Sequence, residues 1–322
     1  MLYDLPQLPL GRYRLGFGGT TGSRVFPGSA WRGAFGHALR RLACLTGAPE
    51  CRGCPESHRC AYAYVFDTPI PPAAAKMRRY TQAPHPFVLR EVHTDDRVNL
   101  HLTLVGRSNA YLPLLVLALT HAAENPRGIS GHRLRLASID QAVIPGEETW
   151  TRIDGANGIL TPCPPHAPAI PELTAGDVQL TFETPLRVKR AGQHVRGNDF
   201  HFSDLFGNLL RRVSMLSYFH TDTPFETDFR ALTDAARLVA SHTQLRWDDQ
   251  PRHSARQNQD MNLGGVTGTL RVAAADIAPF WPILWLGQFI HAGSAATMGL
   301  GYYTVASLPP AALESKQVSL NQ

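Results

Sequence analysis

The sequence predicts an α+β protein made of two tandem ferredoxin-like (RRM-like) domains, each running β-α-β-β-α-β, with a cysteine-cluster insertion in the first. Three observations carry this expectation. Residues 161–171 hold five prolines, which continue neither a helix nor a central strand, so the segment reads as a linker. Strand-like and helix-like periodicities follow the same order on either side of it. The C-terminal part closes on an apolar helix, a glycine-rich loop and a strand. The expected domains are residues 1–171 and 172–322; no detectable sequence repeat relates them.

In the first domain the pattern gives a strand at 12–17 and a helix starting near Ser29. The cysteine loop at about 44–60 follows, then strands at 87–92 and 98–105, a helix at 110–122 and a strand at 134–143. The second domain has a strand at 178–182 and a basic strand at 186–189. Its helix at 204–219 is amphipathic: Leu205, Leu209, Val213 and Leu216 recur at helical spacing, and Ser203 is placed to accept an early backbone N–H. A second helix at 229–240, a strand at 268–272, a helix at 277–289 and a strand at 302–306 complete it. Sheets of this kind can present an open face to RNA.

With 322 residues, the chain is long enough for two ordinary cores. The net charge of +5 fits a polyanionic partner without requiring one. The start of the chain has no basic and apolar leader, and the longest apolar run, near 280–290, is too short for a bilayer. A cytoplasmic protein without membrane contact is expected.

Cys44, Cys51, Cys54 and Cys60 form C-x6-C-x2-C-x5-C. In a reducing compartment such density points to a closed tetrahedral metal site that pins a loop, zinc first and an iron–sulfur cluster second. His58 is an alternative ligand, and Cys163 stands apart as a free cysteine. The glycine loop at 291–301 lies between helix and strand, the reverse of a P-loop or dinucleotide turn, and lacks Gly-Lys-Ser/Thr, so no nucleotide cofactor is expected. It reads either as a tight turn or as a backbone that approaches extended phosphate.

Three segments together resemble one family: residues 28–37 leading into the cysteines, residues 247–257 with 261–268, and residues 291–303. They look like the CRISPR-associated endoribonucleases of the RAMP superfamily that process precursor repeat RNA, in the branch with an N-terminal cysteine cluster. Departures are Ser294 where a lysine is expected, Met298 where an aromatic is, and Gln250 and His253 at usually aromatic positions. The resemblance implies metal-independent cutting by the ribose 2′-hydroxyl, leaving a 2′,3′-cyclic phosphate and a 5′-hydroxyl, with the product retained. Its partners would be CRISPR repeat RNA and a CRISPR effector complex. The alternative is a non-catalytic RAMP subunit that coats guide RNA.

His37 on the first helix and His291 at the mouth of the glycine loop are the implied acid–base pair, each with a purely structural reading beside it. The RNA-binding candidates near them are Arg32, Arg40 and Arg41 on the first helix. Gly293, Ser294, Thr297, Gly299 and Gly301 belong to the loop. Arg187, Lys189 and Arg190 form a basic strand edge, while Arg211 and Arg212 adjoin the apolar stripe of 204–219. Arg252, Arg256 and Gln257 are suited to clamping phosphate.

Overall fold

In a computed structural model, which describes residues 5–19, 28–76, 82–94, 97–155, 157–249, 251–254 and 259–308, alternation along the strands sorts residues onto two faces of each sheet. In the first lobe β1 (Leu10–Gly18) is followed by α1 (Gly28–Ala43), β2 (Phe87–Thr94), β3 (Arg97–Val105), α2 (Leu112–Glu124), β4 (Arg135–Ala142) and β5 (Trp150–Arg152). The sheet order is β2-β3-β1-β4-β5, every pair antiparallel. Tyr13, Leu15 and Phe17 of β1 enter the core under the helices, leaving Arg12 and Arg14 for the opposite face. α1 contains neither proline nor a β-branched residue, and Trp31, Phe35, Ala38 and Leu39 form its buried stripe. Gly36 is required there, since a Cβ would stand 2.8 Å from the Phe66 ring.

The second lobe begins with β6 (Asp177–Leu186) and the two-residue strands β7 (Lys189–Arg190) and β8 (Gln193–His194). α3 (Phe202–His220), α4 (Phe229–Ala236), β9 (His242–Asp248), β10 (Pro251–Ser254) and β11 (Gln259–Asn262) follow. β12 (Gly265–Ala273), α5 (Ala274–Ile277), α6 (Trp281–Ile290) and β13 (Tyr303–Leu308) complete it. The order β13-β6-β12-β9 repeats that of the first lobe: the first strand is central between the third and fourth, and the second lies beyond the third. This is the antiparallel ferredoxin-like arrangement, present twice.

Several local expectations are corrected. The basic strand at 186–189 is divided: Leu186 ends β6 and Lys189 begins β7, which Ala191 and Gly192, both at positive φ, turn back onto β8. The helix at 277–289 is two helices: Pro279 and Pro282 supply no N–H, and Pro282 is accommodated only in the first turn of α6. The helix at 229–240 stops at Ala236. Nor is the proline-rich segment a free tether. The indole N–H groups of Trp281 and Trp285 donate to the carbonyls of Pro171 and Ala169, both at 2.7 Å, and His166 bridges to Leu10.

The lobes share structure. Leu8, Leu10 and Val105 pack into the second lobe's core cluster. Arg107 donates to the carbonyls of Phe219 and Thr221, closing the C-terminal end of α3 where orphan carbonyls and the helix dipole favour a cation. His220 sits 3.0 Å from the Tyr64 hydroxyl and 2.8 Å from the Pro84 carbonyl. No helix among the described residues is long and apolar enough to cross a membrane.

Candidate active site

Position 28 explains why α1 and the glycine loop meet. A Cβ there would lie 1.9 Å from the Met298 carbonyl oxygen, so only glycine lets the start of α1 rest on the loop. One turn on, Arg32 Nε donates to Thr297 Oγ1 at 3.0 Å, across 265 residues of chain. The same guanidinium lies 3.5 Å from His85 Nε2 and 5.1 Å from the centre of the Phe66 ring. A cation from the first lobe is thereby fixed on the loop of the second.

His37 lies five residues beyond Arg32, about 7.5 Å along the helix and about 140° around it. It is exposed, on the open face that carries Gly33 and Arg41 at i−4 and i+4. Arg40 faces elsewhere: it donates to the carbonyls of Ala48 and Pro49 and so holds the loop after α1, a structural use that replaces the expected RNA contact.

The N–H groups of the loop's glycines are engaged within the protein. Gly293 N–H donates to Asn208 Oδ1, Ser294 N–H to the Arg187 carbonyl, Gly299 N–H to Ala296, and Gly301 N–H to Pro185. Positive φ at Gly293, Gly299 and Gly301 makes the path possible, so these glycines shape the loop. His291 is corrected likewise. It is buried, its Nδ1 is 3.1 Å from the Leu300 carbonyl, and burial with help from Arg90 lowers its pKa to about 3. A ring enclosed and neutral in this way fixes the turn and has no proton to give at neutral pH.

Arg212 is half-buried, its Nε donating to the Ile290 carbonyl at 2.9 Å at the end of α6, a structural use of the side chain. Arg211 occupies the exposed side of α3. Arg187 donates to the Gly264 carbonyl at 2.9 Å. Arg190 donates to the Asp199 carbonyl and lies 3.7 Å from Asp204, whereas Lys189 beside it is exposed. Arg252 is on β10 opposite Met261, and Arg256 and Gln257 fall outside the described residues.

Sequence reasoning missed three groups. Arg196 stacks 4.7 Å over the Trp247 ring beside the β7–β8 hairpin. On β2, the 5%-exposed carboxylate of Glu91 accepts from the Trp31 indole N–H and pairs with His93 Nε2. Arg90 packs over Tyr302. None has a spacing signature, because each is assembled by sheet register and lobe packing.

At the far end of α1, Cys44, Cys51, Cys54 and Cys60 line one cavity of about 280 Å³, with the Thr46 hydroxyl 3.9 Å from Cys44 Sγ and 3.4 Å from Cys54 Sγ. The donors are thiols, the soft type that zinc takes. Among the described residues no three potential ligands converge to metal-binding geometry.

Residues 180–303 match the family model of the CRISPR-associated endoribonuclease Cas6. The second lobe is thus similar to Cas6-type CRISPR-associated endoribonucleases. Residues 8–158 match a second family model, described only as an N-terminal domain. An uncharacterized protein of Archaeoglobus fulgidus is 22% identical over 294 residues, 88% of this chain and 92% of that one. The Cas6 (TTHB231) product complex aligns with a TM-score of 0.55 at 16% identity, over 92% of this chain and 99% of that one. The Cas6 (TTHA0078) product complex gives 0.52 at 14% identity, over 93% and 100%. At these identities the structural likeness concerns the fold.

Proposed function

We propose that this chain cuts CRISPR repeat RNA by attack of a ribose 2′-oxygen on the adjacent phosphorus. A 2′-O–P bond forms and the P–O5′ bond breaks, giving a 2′,3′-cyclic phosphate and a 5′-hydroxyl. One group takes the 2′-proton and another returns a proton to the 5′-oxygen. His37 supplies one of these transfers. Arg32, fixed on Thr297, offers charge to the developing phosphorane. The observation that carries the reading is this junction of α1 and the glycine loop inside a Cas6-type fold. The exposed cations Arg41, Lys189 and Arg211 take the flanking backbone. The product stays bound and passes to a CRISPR effector complex in the cytoplasm.

Four cysteine thiolates would hold a structural zinc, which would tie the loop after α1 and take no part in the chemistry. Elemental analysis of the purified protein decides between zinc and iron. The cleavage chemistry is tested by incubating the protein with its locus-matched repeat RNA in EDTA. One cut with a cyclic phosphate end is expected; dependence on added magnesium contradicts it.

A further inference from the structure

On the face of the first sheet away from α1 and α2, Arg12 and Arg90 lie in a cleft that α6 and the start of β13 roof over. The cleft is narrow, with about 20 Å³ of free space inside, and opens to solvent; Arg12, Arg90, His101, Trp150, Phe289 and Tyr302 are among its walls. Arg12 Cζ stands 4.6 Å from the Phe289 ring centre and 5.6 Å from that of Trp150; Arg90 Cζ stands 3.9 Å from that of Tyr302. Aromatic faces thus pack both guanidiniums and orient them, but aromatic rings accept none of their five N–H bonds as an oxygen would.

Neither arginine has a hydrogen-bonded or ion-paired partner among the described residues. Of the nearby carboxylates, Asp140 pairs with Arg14 at 3.8 Å, while Glu183, which accepts from Thr304, also acts as a more distant counter-charge to Arg90. Each cation also repels the other, and burial lowers Arg12 to a pKa of about 10. His101, between them on the sheet, is pushed down to about 3 by burial and by the same arginines, so it adds no charge at neutral pH. The half-buried charge of Arg12, with no carboxylate facing it, costs free energy that a fully paired arginine would not incur.

We infer that Arg12 and Arg90 form a binding site for a phosphate group, separate from the Arg32–Thr297 junction. Trp150 and Tyr302 flank it as surfaces against which a base could lie. The phosphate is either a backbone phosphodiester of unpaired RNA, which would deepen the endoribonuclease reading and rests on it, or free phosphate.

The test compares the full-length protein with R12M/R90M, which keeps much of the apolar packing and removes both charges. Thermal melting is followed without ligand and with inorganic phosphate, and decauridylate binding is followed across a salt series. The variant is expected to melt higher than wild type without ligand, because the uncompensated charge of Arg12 and its repulsion with Arg90 are gone. It should bind decauridylate at least tenfold more weakly, with a salt slope smaller by about 1.4, the value for two lost single-strand contacts. If inorganic phosphate instead stabilises wild type but not the variant, and decauridylate binding is equal, the source is free phosphate. A variant that melts lower or fails to fold makes the arginines structural and overturns the inference. Unchanged response to both probes overturns it too. Cutting of repeat RNA by wild type is scored in parallel: its failure condemns the endoribonuclease reading, while the phosphate arm still judges this site.

Discussion

Arg32 illustrates how much one side chain decides here. Its bond to Thr297 joins the two lobes at the loop, and its neighbour Trp31 reaches Glu91 on β2. Of the two histidines expected to act, His37 keeps an exposed position and His291 does not. Replacing His37 with Ala should slow single-turnover cleavage by about 10²–10⁴-fold and leave RNA affinity within threefold, read by pre-steady-state cutting and filter binding. Replacing His291 with Ala should instead lower the melting temperature, because it removes the bond to Leu300 from a buried position. A His291 variant that melts normally but cannot cut would return that residue to the chemistry. His93 with its Glu91 partner deserves the same comparison, since a carboxylate fixes a ring's orientation.

At the level of elements, glycines separate packing from propensity along α1. Gly28→Ala should disrupt the seat of the helix on Met298 and cost both stability and cleavage, since the added carbon has nowhere to go. Gly33→Ala meets nothing within 4 Å and should stabilise by about 0.5–1 kcal/mol, measured by urea unfolding. The repeated strand and helix order was legible because burial imposes a period of two on β1 or β6 and a stripe on α3. Helix ends were less so: Pro282 starts α6, yet the apolar run before it reads as continuous helix. The site was legible only in part. The motif around residues 28–37 marks α1, but whether Arg40 reaches RNA or the Ala48 carbonyl depends on the path of the following loop. Likewise, a glycine-rich spacing announces positive φ without saying that the glycine N–H groups are already bonded.

For the whole molecule, the seam between lobes has a pH signature. His85, His101, His220 and His291 are lowered to about 3, 3, 4 and 3, in each case first by burial. Unfolding frees each to bind a proton near pH 6.5, so between pH 6.5 and about 4 the unfolded chain holds more protons than the native one. Stability is therefore fully present above pH 6.5 and falls as the pH drops, by at most roughly 1.4 kcal/mol per pH unit for each histidine. Urea midpoints at pH 7.5, 6.5, 5.5 and 4.5 should decline steeply below 6.5; a flat profile would mean these rings accept protons in place. The central claim is that the lobes form a cleavage site where α1 meets the glycine loop. Its most direct measurement is the single-turnover rate of repeat-RNA cutting by Arg32→Gln against wild type, with the fold checked by melting. A loss of at least a hundredfold in a normally folded variant is predicted, and a rate within threefold of wild type would contradict it.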